Sequence, residues 1–316
     1  MPSTIRLGVS SCLLGETVRY DGGHKRDVYL REVLGRFVEW VPVCPELESG
    51  LGVPRPPMRL VRDGDSVRLV EIESGADHTR AVARWASGRL RSLRALALCG
   101  YVLKKDSPSC GMERVKLYGG AGLPRRDGVG IYARALRGAF PNLPVEEEGR
   151  LRDPDLRENF IERVFAYARL RALFRAGWSP ADALAFHTAH ELQLMAHSPV
   201  AGRELGRRVA GVARARRGAF RERYAAEFMA ALARIATRGR NARVLRHGAG
   251  RLKRALSAGS RAELAGSIDD YRRGLVPLAV PITLLRHHAR QHGVSYLTGQ
   301  TYLEPHPKEL MLRNRC

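Results

Sequence analysis

The hydrophobic period of this chain changes once, close to Asp153-Pro154, and that change limits the folds open to it. Upstream, short apolar runs alternate with helical stretches. Residues 5–14, 37–44 and 99–103 read as strands, residues 27–36 and 77–97 as helices, and residues 58–72 as a hairpin around Gly64. Strands alternating with helices predict an α/β N-terminal domain with a mostly parallel, Rossmann-like sheet. Downstream, apolar residues recur every three or four positions. Helices are expected over about 155–175, 181–196, 199–215, 219–237, 250–266 and 279–291, which gives an all-α C-terminal domain. Gly177-Trp178-Ser179-Pro180 breaks the first of these from the second, with Ser179 placed to cap the next helix. Two domains are expected, residues 1–175 and residues 176–316.

Charge separates the two halves as well. The chain carries 54 Lys and Arg against 32 Asp and Glu, a formal net charge of +22. Residues 1–150 contribute +6 of this and the remaining 166 residues contribute +16. A GC-rich genome explains why 48 of the basic residues are Arg and 6 are Lys, but not the excess over acids. Such an excess attracts a polyanion, because each neutralised phosphate releases counterions. A nucleic-acid partner is therefore expected for the helical half. Arg214-Ala215-Arg216-Arg217 is the densest basic tract, with Arg207, Arg208 and Arg221 on neighbouring helical turns. No apolar run approaches the roughly 20 residues of a membrane span. The N-terminal segment also lacks a basic region followed by an apolar stretch, so a cytoplasmic protein without a membrane partner is expected.

Five cysteines remain to be placed. An odd count in a cytosolic chain argues against disulfides and leaves metal binding, catalysis or burial. Cys12, Cys44 and Cys110 each follow the carboxyl end of an expected strand. In an open α/β sheet those ends converge where ligands bind. Three thiolates in one crevice suit an iron–sulfur cluster with one iron open to substrate. Zinc sites are usually built from close C-x-x-C pairs, and none is present. Burial remains the plain alternative for each cysteine alone. Cys99 lies inside an apolar run and reads as core, and Cys316 is terminal. His187, His190 and His197 fall on a helix with no cysteine near, so they are not expected to be metal ligands.

Four motifs in order then become specific. Ser11-Cys12-Leu13-Leu14-Gly15, Val18-Arg19-Tyr20-Asp21-Gly22-Gly23-His24-Lys25, Cys44-Pro45-Glu46 and Ser107-Pro108-Ser109-Cys110-Gly111 resemble the thiouracil desulfidase family over about residues 5–170. The segments Leu192–Pro199 and Tyr302–Pro307 resemble the helical domain fused to it in bacterial tRNA 4-thiouridine desulfidases, with His306 where Tyr is expected. The resemblance implies a 4Fe-4S cluster on Cys12, Cys44 and Cys110, with Glu46 and Ser107 as the catalytic acid–base residues. Asp21, Lys104 and Ser109 are then expected to bind substrate, and Arg208, Arg214, Arg216 and Arg217 to bind tRNA. Plainer roles stand beside these: Glu46 as a helix cap, Ser107, Ser109 and Asp21 as turn residues, Lys104 as a solvated charge. The implied reaction is non-redox hydrolysis of the carbon–sulfur bond of 4-thiouridine in tRNA. The other readings are a desulfidase of free thiouracil or thiouridine, and a non-catalytic iron–sulfur RNA-binding protein.

Overall fold

The computed structural model describes residues 4–119 and 123–315. The chain divides into two compact units, Met1–Asp153 and Pro154–Cys316. The break thus falls at the change of period and before the boundary expected after residue 175.

The first unit is α/β, as expected. Its main sheet contains β1 (Arg6–Ser10) and β2 (Glu39–Val43). The short helix α1 (Pro45–Glu48) follows, then β3 (Met58–Asp63), β4 (Ser66–Glu71) and helix α2 (Thr79–Ala95). The unit continues with β5 (Gly100–Leu103), β6 (Val115–Tyr118), β7 (Arg125–Gly128), helix α3 (Ile131–Ala139) and β8 (Val145–Glu147). Strands β2-β1-β5-β8 form a parallel sheet in that order. The chain leaves β1 to one side for β2 and returns to its other side as β5. That reversal makes the β1/β5 boundary the switch point of the sheet, and the crevice lies beyond its carboxyl edge.

Side-chain choice explains the sheet. Leu7, Val9, Tyr101, Val102 and Leu103 have no measurable exposure, as strands covered on both faces require. Gly8 makes room for the Tyr101 ring: a Cβ there would lie 2.1 Å from Cδ2 of Tyr101. Helix α2 buries Val82, Ala86, Leu90 and Leu93, one stripe at helical spacing. Each larger apolar side chain of this kind contributes roughly 1.5–3 kcal/mol by leaving water.

A second sheet, ordered β4-β3-β6-β7, was not foreseen as a sheet, although its β3–β4 hairpin was. Gly64 turns the hairpin with a positive φ of 57°. The helix expected over 27–36 is instead a wide turn over Tyr29–Val33 and a tight one over Leu34–Arg36, opened by Asp27, whose Oδ1 accepts from the Leu30 amide at 3.0 Å.

The second unit is all-helical: α4 (Pro154–Leu173), α5 (Pro180–Ala189), α6 (Glu191–His197), α7 (Pro199–Ala210), α8 (Arg217–Leu232), α9 (Arg238–Leu252), α10 (Ala258–Arg273), α11 (Ala279–Gln291) and α12 (Ser295–Thr298). Helix α4 belongs here because Ala166 and Leu170 pack with Leu205, Phe220, Tyr224 and Phe228. Ser179 caps α5 with a reciprocal Asp182 box. The single helix expected over 250–266 is a correction: α9 ends at Leu252 and α10 starts at Ala258, capped by Ser257, whose hydroxyl accepts from the Ser260 amide. No helix among the described residues is long and apolar enough to cross a membrane.

A three-cysteine crevice as candidate active site

The three expected cysteines line one cavity of about 410 Å3 at the carboxyl edge of the parallel sheet. Each is delivered by a different local device. Cys12 sits in the tight turn Ser11–Leu14 directly after β1, closed by Gly15 at φ 101°. Cys44 directly follows β2 and precedes Pro45 at the first position of α1, a position proline suits because its missing N–H is not needed there. Cys110 lies in the loop after β5, and α3 holds that loop. The first amides of α3 have no partner within the helix, and they donate to the loop carbonyls instead. Ile131 N–H reaches Pro108 O at 3.2 Å, and Tyr132 and Ala133 N–H reach Ser109 O at 3.0 and 3.1 Å. Gly130 permits this approach, since a Cβ there would stand 2.4 Å from Ser109 O.

Burial and a shared negative neighbour raise all three thiols. Burial first and the Glu46 carboxylate second push Cys12 up to about 11 and Cys44 up to about 12, and push Cys110 well above the thiol range. Cys12 and Cys44 also repel ionisation of Cys110. Three thiolates gathered here are costly without positive charge, and a cationic metal group removes that cost. Among the described residues no three His, Cys, Asp or Glu side chains converge on a single ion. Cys99 is buried, with its thiol directed to Ala97 O at 3.6 Å, and it does not line the cavity. Cys316 lies outside the described residues.

Glu46 lines the crevice with the three cysteines. Its Oε1 accepts from Ser109 Oγ at 2.6 Å, and its Oε2 faces Cys44 Sγ at 3.6 Å and Arg55 at 3.5 Å. Arg55 was missed by sequence reasoning. Its side chain is 6% exposed, and it also donates to Val18 O at 3.1 Å and Gly52 O at 2.8 Å. It therefore ties the loop after Cys12 to the carboxylate after Cys44.

Ser107 lines the cavity, and its Oγ accepts from the amides of Ser109 and Cys110 at 3.2 and 3.0 Å. With both lone pairs engaged, what this hydroxyl offers the cavity is its proton. Ser109 is fully buried and lies behind Glu46, outside the lining. Lys104 lines the cavity and pairs with Glu148 at 2.5 Å. Asp21 does not line the cavity: it pairs with Arg19 at 3.3 Å and accepts from the Gly23 amide at 3.0 Å, and that amide and Arg19 hold its carboxyl below the usual range. Its neighbours Arg19 and Tyr20 line the cavity in its place.

In the helical unit Arg214, Arg216 and Arg217 are exposed at the start of α8, with Arg217 over the Trp178 ring at 5.8 Å. Arg208 is engaged by Glu227 through two contacts of 2.8 Å. The three histidines are separately partnered: His187 with Tyr224 Oη, His190 with Phe186 O and His197 with Glu162. Burial raises Glu162, but the His197 ring and Arg313 overcome it and hold the carboxyl well below its ordinary range.

Fold and crevice together define a class: an α/β unit with a three-thiol site at the switch point of a parallel sheet, joined to a basic helical unit. The family model described as 2-thiouracil desulfurase matches residues 7–148, and one described as a protein of unknown function, DUF1722, matches residues 191–307. The chain belongs to the 2-thiouracil desulfurase family. It is similar to the uncharacterized protein YbbK of Bacillus subtilis (strain 168), 31% identical over 146 residues, 44% of this chain and 95% of that one. It is also similar to the uncharacterized protein YbgA of Escherichia coli (strain K12), 29% identical over 158 residues, 50% of this chain and 94% of that one. A solved structure of a 4Fe-4S-dependent thiouracil desulfidase, TudS, is 34% identical, covers 48% of this chain and 95% of its own, and superposes with a TM-score of 0.40.

Proposed function

We propose that this chain removes sulfur from a thiolated uridine in tRNA, with a 4Fe-4S cluster held by Cys12, Cys44 and Cys110. The observation that carries the reading is the meeting of three thiols, two of them buried and that of Cys12 half-buried, with Glu46 and Ser107 in one crevice. Bound there, the cluster supplies an open iron that acts as a Lewis acid toward a soft thione sulfur. The chain's own residues handle protons. Glu46 takes a proton from water as the water adds to the ring carbon, and Ser109 and Arg55 keep the carboxylate aimed. Ser107 donates its hydroxyl proton to orient that water or the pyrimidine oxygen. The carbon–sulfur bond breaks, water's oxygen stays on the carbon, and sulfide leaves with no change of oxidation state. Lys104 stands at the cavity wall where a substrate phosphate would meet it.

RNA is favoured as the substrate by the distribution of charge, since residues 154–316 carry +16. Arg214, Arg216 and Arg217 are its exposed contacts, and Arg208 supports α8 through Glu227. Free thiouracil is the second reading, and the substrate named for TudS favours it. The two are separated by giving the anaerobically reconstituted protein 4-thiouridine-containing tRNA and free thiouracil in parallel. Faster sulfide release from tRNA, lost when Arg214, Arg216 and Arg217 are changed to Ala, supports the first. Turnover of thiouracil alone overturns it in favour of salvage.

A further inference from the structure

A second groove opens beside the cysteine cavity and shares Met58, Asp106 and Pro108 with it. It has a volume of about 340 Å3 and lies on the second sheet of the same unit, over β3, β6 and β7. Its character differs from that of the cavity. Arg59 lies over the Tyr118 ring at 5.1 Å, which gives a flat platform of guanidinium and phenol. Lys116 and Arg126 are exposed on its wall, and Lys116 has no acidic partner among the described residues. Arg126 pairs with Asp106 at 2.8 Å, the one acid lining the groove. Ile72 adds an apolar edge that is 46% exposed. Three cations against one acid, a stacking platform and an apolar edge suit bases and phosphates together.

We infer that this groove binds the nucleotides flanking the one being desulfurised, as extended single-stranded RNA. The inference rests on the reading of the crevice as a thiouridine desulfidase site. A base entering the cavity carries its sugar and phosphates beside it, and the groove adjoins the cavity at Met58, Asp106 and Pro108. Bases next to the target stack on Tyr118 and Arg59, and their phosphates meet Lys116 and Arg126. A free pyrimidine has nothing to place there. The catalytic unit thereby distinguishes a nucleotide within a strand from an isolated base, independently of the basic helical unit.

The test uses the full chain with its cluster and three ligands: 4-thiouridine, a trinucleotide with 4-thiouridine at its centre, and a fluorescein-labelled tetrauridylate that cannot react. Wild type is compared with the Lys116→Ala/Arg126→Ala double variant, both exposed positions, and with Tyr118→Leu. In the double variant, nucleoside turnover stays within about twofold and KM for the trinucleotide rises about tenfold. The log–log salt slope of tetrauridylate binding falls by about 1–2, as loss of one or two phosphate contacts requires. Tyr118→Leu weakens tetrauridylate binding with its salt slope unchanged. If both variants bind tetrauridylate and turn over the trinucleotide like wild type while the nucleoside is consumed, the groove does not bind RNA. If wild type releases no sulfide from any substrate, the desulfidase reading fails, and the binding measurement still decides the groove.

Discussion

Glu46 shows how a residue readable as a helix cap is assigned by its surroundings. It stands at the second position of α1, where a carboxylate commonly supports free amides. Here the amide of Cys44 is taken by Glu48 Oε1 at 2.9 Å, and Glu46 turns into the crevice toward Ser109 and Arg55. Replacing Glu46 by Gln keeps the size and the oxygen that accepts from Ser109, while removing the base and its ion pair with Arg55. Turnover is expected to fall by about 10²-fold or more with iron content unchanged, measured as sulfide release and iron per protein. A variant with wild-type turnover would remove Glu46 from the chemistry. The cysteines and Glu46 were legible because each sits next to a strand end or a proline turn. Arg55 was not, because Pro54-Arg55-Pro56-Pro57 reads as a connector and its partners are contacts that only folding creates. Ser109 was legible as a polar neighbour of Cys110, but whether it faced the cavity or the carboxylate depended on the turn that Ser107 ties.

At the scale of elements, the site depends on α3 gripping the Cys110 loop. Gly130 has φ −57° and ψ 145°, a conformation any residue adopts, so its role is purely one of space. A Gly130→Ala methyl meets the backbone at Ser109 O and Cys110 N, which cannot swing aside as a flexible side chain does. The variant is expected to lose roughly 1–3 kcal/mol of stability and to hold less iron, read by chemical denaturation and iron assay. Unchanged iron loading would show that the loop tolerates displacement. Elements with one clear stripe, such as α2 and α11, were visible in the sequence. The α9–α10 boundary was hidden because Leu252, Leu256 and Leu264 continue a helical period across the break. Gly248 and Gly250 also weakened the signal for α9. The second sheet was half-visible: local alternation shows a hairpin, whereas the parallel β3–β6 pairing joins segments more than fifty residues apart.

At the scale of the whole molecule, the chain combines a thiol-bearing α/β unit with a helical unit rich in buried polar groups. The position of the change in period was readable; the membership of α4 was not, because its residues are buried on several sides and show no single face. The helical unit should respond to acid. Burial, then the nearby Arg313, lowers His306 to about 4 from 6.5. Between those values the unfolded chain binds a proton that the folded one refuses, so stability falls as pH drops from about 6.5 toward 4. His306→Tyr removes this contribution, and the difference in unfolding free energy between pH 7 and pH 4.5 should shrink by on the order of 2 kcal/mol. An unaltered difference would mean that other groups, such as His190, set the acid response.

The central claim is that Cys12, Cys44 and Cys110, and not Cys99, hold the cluster that carries out the reaction. The most direct measurement compares single Cys→Ala variants at these four positions after anaerobic reconstitution, following iron content and sulfide release from 4-thiouridine together. Loss of both at Cys12, Cys44 and Cys110, with both kept at Cys99, is the expected result. A Cys110→Ala protein that keeps its iron and its turnover, or a Cys99→Ala protein that loses them, would contradict it.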